Sequence, residues 1–301
     1  SDDKDKLTID RFDNLELIPK WMIDRWKNFY TADEVKQIAN SILSIPPLDI
    51  TVKKIDQEIA EDLGGRSIIP RNIRLNKFGF IPDIKYYHDG KWWVQDIAAS
   101  IPVRIIQNEI NNKNIVDLCA APGGKTANLI DAGAKVTAID SSVDRIDILK
   151  RNLKRLNLEA DIIHADGTIW STKLKYDGVL IDAPCSSTGV MRRNPDILRR
   201  RNHNLDYLTH LQHKLLINGI ELLKKGGFLL YCTCSLEKEE GEYQIERIIE
   251  ERQDIAVKKI DKKDITIFQE FIHPEGYLRI LPDTIADGGN DGFFISILQK
   301  K

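Results

Sequence analysis

The sequence predicts an α/β protein: a doubly wound, mostly parallel sheet preceded by a small α+β unit. Three observations carry that prediction. From about residue 96 onward, short apolar runs alternate with amphipathic helical stretches, the texture of βαβ units. Gly-rich or small-residue turns follow those runs, where sheets of this kind collect their ligands. The first 95 residues read differently, as a helical stretch and then strands broken by Pro and Gly.

Each element follows in order. Leu15 to about Leu43 repeats apolar residues at helical spacing, with Trp21, Met22, Trp26 and Phe29 on one side and Thr31 a cap before Ala32-Asp33-Glu34. Pro46-Pro47 breaks the chain, and Leu48–Val52 alternates as a strand. A helix over Gln57–Leu63 and strands at Ile73–Leu75 and Lys91–Val94 complete a unit that is RRM-like in outline. This closes a first, RNA-binding subdomain, residues 1–95, whose Trp92-Trp93 pair is expected in the core rather than as a stacking platform. In the second domain, residues 96–301, strands are expected at Ile115–Cys119, Val136–Asp140, Asp161–His164, Tyr176–Asp182 and Phe228–Cys232. Helices are expected over Thr126–Ala132, Ser142–Leu156 and Leu205–Leu223, the last stopped by Gly226-Gly227. Phe293–Leu298 closes the chain as an antiparallel strand, inserted or at an edge.

Composition narrows the function. Hydrophobic residues make up 42% and charged residues 30%, which suits a globular protein with a sizeable core. No run approaches a membrane-spanning length and Ser1–Lys6 lacks signal-peptide architecture, so a soluble, cytoplasmic monomer is expected. The four cysteines, Cys119, Cys185, Cys232 and Cys234, are too sparse for a disulfide scaffold and lack zinc-ligand spacing, so no metal is expected. Net charge is −2, yet Arg192, Arg193, Arg199, Arg200 and Arg201 crowd one segment, and arginine forks suit phosphate oxygens.

The first turn, Asp117-Leu118-Cys119-Ala120-Ala121-Pro122-Gly123-Gly124-Lys125-Thr126, lets a ligand approach the backbone at a helix N-terminus. A P-loop would need Gly where Cys119 stands, and the dinucleotide fingerprint is absent. Asp140, ending the next strand, can accept from a ribose hydroxyl pair, and Asp166, after the third, can meet an adenine edge. A nucleoside cofactor without a bound polyphosphate fits, and S-adenosylmethionine is one.

The reacting end lies at Asp182-Ala183-Pro184-Cys185 and Cys232-Thr233-Cys234, after neighbouring strands. Amino-nitrogen methyltransferases commonly carry a Pro-Pro-aromatic tetrapeptide after the fourth strand. Cys185 stands where the aromatic would be, which points to carbon chemistry. Cytosine C5 is a poor nucleophile until a thiolate adds at C6. Cys234 and Cys185, each followed by Ser at a strand tip, are the reactive candidates, and Asp182 could hydrogen-bond N3 as charge develops there. Cys119 and Cys232 are expected as small buried side chains.

These motifs resemble the RsmB/Sun branch of RNA (cytosine-C5)-methyltransferases, related to the NSUN enzymes. The likeness runs from about Pro19 to Lys301 and includes Gly90–Asp96 and Asp291-Gly292-Phe293-Phe294. It implies a Rossmann-like S-adenosylmethionine methyltransferase domain whose cofactor site is lined by Cys119, Ala120, Ala121, Pro122, Gly123, Gly124, Lys125, Asp140, Asp166 and Asp182. By the same likeness Cys234 is the C6 nucleophile and Cys185 promotes release. Met191–Asp196 is a basic loop at the RNA, extended by Arg199 and Arg200. The implied substrate is 16S ribosomal RNA, with transfer RNA as the alternative target and a non-catalytic RNA-binding assembly factor as the alternative role. The NusB-like helical domain usual in RsmB-type proteins is not represented in these residues, so target choice is expected to rest partly on sequence outside them.

Overall fold

A computed structural model describes residues 14–53, 57–75, 77–200, 204–286 and 288–301. Arg201 and the Ser1–Lys6 segment lie outside the described residues. The leading helical stretch is split in two, α1 (Lys20–Trp26) and α2 (Ala32–Leu43). Thr31 causes the break. Its hydroxyl accepts the Glu34 amide at 3.3 Å while Glu34 accepts the Thr31 amide at 2.7 Å, a capping box that requires Thr31 to leave helical geometry. Replacing Thr31 with Ala is expected to cost about 1 kcal/mol of stability, read by urea denaturation.

Both helices bury Met22, Trp26, Val35 and Ile38 against Met191, Ile197, Leu236 and Leu281 of the larger domain. Trp26 Nε1 donates to Glu237 at 2.9 Å and the Tyr30 hydroxyl to the Leu236 carbonyl at 2.7 Å. The helical pair therefore clamps the segment that follows Cys234.

Next come β1 (Leu48–Val52), α3 (Gln57–Asp62), β2 (Arg66–Ile69), β3 (Asn72–Leu75) and β4 (Trp92–Val94), an antiparallel sheet ordered β2-β3-β1-β4. Trp92 and Trp93 are buried, as core residues should be. Every residue of β1 and β3 is buried, so these strands present no open face. Between them the Arg74 guanidinium grips Asp49 with two hydrogen bonds of 2.8 Å and reaches the Gly289 carbonyl.

Helix α4 (Ile97–Ile106) carries Pro102 and was not legible as a helix; the Asp96 carboxylate caps it by accepting the Ala98 amide at 2.9 Å. The main sheet is built from β5 (Asn114–Asp117), β6 (Lys135–Asp140), β7 (Asp161–His164), β8 (Tyr176–Asp182), β9 (Leu223–Thr233), β10 (Ile255–Val257), β11 (Leu278–Ile280) and β12 (Phe293–Lys300). Helices α5 (Gly124–Asp131), α6 (Val143–Leu156), α7 (Leu205–Leu222) and α8 (Glu242–Glu251) alternate with them. The order is β10-β12-β9-β8-β5-β6-β7, with β11 pairing β12. β5 through β9 are parallel, whereas β12 is inserted antiparallel between β9 and β10.

The expected stop at Gly226-Gly227 falls differently: α7 ends at Leu222 and both glycines lie inside β9, where the pairing with β8 slips register. The chain runs outward through β6 and β7, then returns to β8 on the other side of β5. That reversal opens a crevice above β5 and β8, the position where such sheets bind ligands. No helix among the described residues is long and apolar enough to cross a membrane.

Candidate active site

The turn after β5 rises into the crevice. Gly123 caps α5 with φ at +107°, a left-handed backbone that a Cβ would drive into Leu149. Thr126 fastens the turn from inside, its hydroxyl donating to Asp117 at 2.8 Å. The other Asp117 oxygen is buried without a hydrogen-bond partner. Burial pushes the Asp117 carboxyl up to about 7, against the pull of the Thr126 hydrogen bond. Folded protein therefore keeps a proton that the unfolded chain releases between about pH 4 and 7, and this group's contribution to stability falls as pH rises through that window. Asp117→Asn is expected to flatten that slope relative to wild type, measured as melting temperatures from pH 5 to 8.

Asp140 is buried at the tip of β6, where its two oxygens accept the Ala121 amide at 3.1 Å and the Ser142 amide at 3.0 Å. Asp166 is exposed beyond β7 and one of its oxygens accepts from both the backbone and the hydroxyl of Thr168. Lys125 reaches across from α5. Its ammonium donates to Asp182 at 2.7 Å and lies 4.8 Å from the Phe293 ring. Burial alone would lower the Lys125 pKa, but Asp182, with Cys232 and Cys234, more than reverses that and leaves it raised. The other Asp182 oxygen receives the buried Cys232 thiol at 3.5 Å.

The two predicted reactive thiols meet. Cys185 Sγ and Cys234 Sγ are 3.5 Å apart and both are partly exposed. Their titrations are linked and shift in opposite directions, Cys234 down and Cys185 up. The hydrogen bond between them lowers Cys234, helped by Ser187 and the Lys125 ammonium against burial and Asp182. The same bond, with burial and the Glu240 charge, raises Cys185. Cys232 is buried as expected, whereas Cys119 is partly exposed and its thiol is pushed up by burial.

Gly189 keeps the two thiol loops close. A Cβ there would collide first with the Gly292 carbonyl and would stand 2.9 Å from the Cys234 carbonyl oxygen, which accepts the Gly189 amide at the same distance. Gly189→Ala is expected to displace the Cys234 loop and lower kcat by about 100-fold with little change in KM, read by steady-state kinetics.

The arginines divide. Arg192 is buried and donates to Asp96, Asp291 and the Gly288 carbonyl. Arg193 pairs with the same two carboxylates. Both point inward. Arg199 and Arg200 remain exposed, with Arg200 Nη1 3.4 Å from the Ser186 carbonyl beside Cys185. Glu240, which no sequence motif singled out, lies buried beneath both thiol loops. Among the described residues no cluster of three His, Cys, Asp or Glu side chains is arranged to hold a metal ion.

A parallel sheet reversing at β5 and β8, with an antiparallel strand let in beside β9, is the α/β methyltransferase fold. It is shared by a methyltransferase homolog protein from Pyrococcus horikoshii, at 23% identity and TM-score 0.77 over 96% of this chain and 98% of that one. It is shared also by NSun6 from Pyrococcus horikoshii, whose crystal structure is with SFG, at 19% identity and TM-score 0.80 over 95% of this chain and 99% of that one. The chain belongs to the family described as 16S rRNA methyltransferase RsmB/F, whose profile matches residues 104–299. The ribosomal RNA small subunit methyltransferase B of Erwinia tasmaniensis is 33% identical over 96% of this chain, which spans 68% of that relative's length.

Proposed function

We propose that this protein methylates C5 of cytosine in small-subunit ribosomal RNA through a covalent Cys234–C6 adduct. The observation that carries the reading is the pair of thiols 3.5 Å apart, next to the Lys125–Asp182 pair. The family described for 16S rRNA and the small-subunit methyltransferase relative support ribosomal RNA as the substrate.

The site fits S-adenosylmethionine. Cys119 to Lys125, Asp140, Asp166 and Asp182 lie about the crevice in this reading, and the unpartnered Asp117 oxygen is a buried polar atom that a ligand would satisfy. Bound there, the cofactor supplies an electrophilic methyl group on a sulfonium.

The chain's own residues do the rest. Cys234 thiolate forms the bond to C6, and the Lys125–Asp182 pair hydrogen-bonds N3 where charge collects, so that the electron pair becomes available at C5. With Cys234 consumed in the adduct, its hydrogen bond and charge no longer raise Cys185, only burial and Glu240 still oppose ionisation, and Cys185 passes its proton to solvent. After C5 has taken the methyl group, Cys185 removes the C5 proton and the S–C6 electrons return to Cys234. N3 returns to its starting state, leaving one methyl gained and one proton released. Cytosine C6 must be unstacked for this, so a single-stranded or flipped base is required.

Arg199 and Arg200 carry the RNA-facing charge in this reading. The strand order β2-β3-β1-β4, spanning Leu48–Val94, supports an RRM-like unit within the first subdomain, which with β1 and β3 buried would meet RNA by its edges and loops. The setting is cytoplasmic.

The test supplies methyl-labelled S-adenosylmethionine with ribosomal or transfer RNA and locates methylated cytosines by bisulfite sequencing. A modified cytosine in small-subunit RNA is expected. Label in neither RNA would remove the reading, and label in transfer RNA alone would replace the substrate.

A further inference from the structure

Glu240 sits in the turn between β9 and α8 and is fully buried. Burying a carboxylate is costly unless hydrogen bonds satisfy it, and here every bond serves the thiol loops. The Ser186 amide donates to it at 2.9 Å, and the Ser186 and Ser235 hydroxyls donate to Oε2 at 2.5 Å each. Gln212 completes the set, donating one way to Glu240 at 3.0 Å and the other way to the Pro184 carbonyl at 2.8 Å. Ser186 follows Cys185 and Ser235 follows Cys234, so one carboxylate grips the residue after each thiol.

Its own backbone is pinned as well, because the Tyr231 hydroxyl donates to the Glu240 carbonyl at 2.8 Å. The loops also meet along a second seam, where the Leu236 amide donates to Thr188 at 2.9 Å and the Gly189 amide to the Cys234 carbonyl at 2.9 Å.

We propose that Glu240 is the positioning residue of the thiol pair: it ties the Cys185 loop to the Cys234 loop so that both sulfurs address one base. The inference deepens the cytosine-C5 reading and rests on it for the step in which Cys185 follows Cys234. The Glu240 charge also adds to the hydrogen bond and burial that keep the proton on Cys185. A glutamine there has nearly the same shape but exchanges one acceptor for a donor, which opposes a donor already in place.

The experiment alkylates both thiols with iodoacetamide and follows each by mass spectrometry, then measures methyl transfer kinetics. In wild type, Cys234 is expected to react faster than Cys185. In Glu240→Gln the ratio is expected to fall by about tenfold. kcat is expected to fall by about 100-fold, with KM for RNA within about threefold of wild type. A purely structural role would lower the melting temperature while leaving the ratio of the two alkylation rates unchanged. A folded Glu240→Gln with the wild-type ratio and kcat therefore overturns the proposal. Should that variant fail to fold, Ser235→Ala decides, since it removes one arm of the grip. A smaller shift of the ratio in the same direction supports the proposal, and no shift overturns it. Alkylation needs no RNA, so absence of methylated cytosine in wild type would remove the C5 reading alone, while the ratio still judges Glu240.

Discussion

Alanine at Cys234 is expected to abolish methyl transfer and to form no covalent complex with RNA, whereas alanine at Cys185 is expected to trap one. The two thiols share a hydrogen bond of 3.5 Å and their pKa values move in opposite directions, Cys234 down and Cys185 up, an asymmetry that supports the proposed division of roles. Cys234 is the thiol whose pKa is lowered, by the Cys185 hydrogen bond first and then Ser187 and Lys125, against burial and Asp182. Without it no bond to C6 forms, C5 never becomes nucleophilic, and the rate is expected to fall by at least about 10⁴-fold. Without Cys185, addition and methyl transfer proceed but the C5 proton is not removed, so the adduct persists. A denaturing gel with labelled RNA reads both outcomes: a shifted, denaturant-resistant band for Cys185→Ala and none for Cys234→Ala. The reverse pattern would exchange the two assignments.

The parts of this site that could be read from sequence are those in which side-chain chemistry and strand-tip position coincide. Asp140, Lys125, Asp182, Cys185 and Cys234 each follow an apolar run, so a period-two pattern and a sheet rule suffice to bring them to one crevice. Glu240 escaped because nothing local marks it. It lies in an acidic stretch, Glu237-Lys238-Glu239-Glu240, that looks like solvated surface, and only the folded chain shows Glu237 and Glu240 buried while Glu239 pairs with Arg25. Helix α4 escaped for another reason: Pro102 in its interior argues against a helix, and the surrounding core of Ile97, Ile101 and Ile105 overrides that preference. The leading helical stretch was legible together with its cap at Thr31, because Thr31 and Glu34 stand at capping-box spacing before an apolar periodic run.

The basic stripe was the feature least faithful to its sequence appearance, and it yields the second large expected effect. Arg192→Ala is expected to destabilise the fold by about 3–5 kcal/mol, because it strands Asp96 and Asp291 with only Arg193 between them. Asp291 already shows the strain of this arrangement: burial and the neighbouring Asp96 push its carboxyl up to about 6 despite both arginines. Removing one arginine pushes that carboxyl further up. The protonated form escapes most of the penalty, so the loss of stability is expected to be larger at pH 8 than at pH 5, as measured by urea denaturation at the two values. Arg199→Ala, on an exposed side chain, is expected to leave the urea midpoint unchanged and instead to weaken RNA binding. The salt dependence of that binding should flatten by about 0.7 in log–log slope for each phosphate that is no longer neutralised. Adjacent arginines in one sequence run thus separate into an interior clamp and an exposed pair. Sequence could not divide them, because the clamp depends on carboxylates about a hundred residues away in both directions, at Asp96 and Asp291.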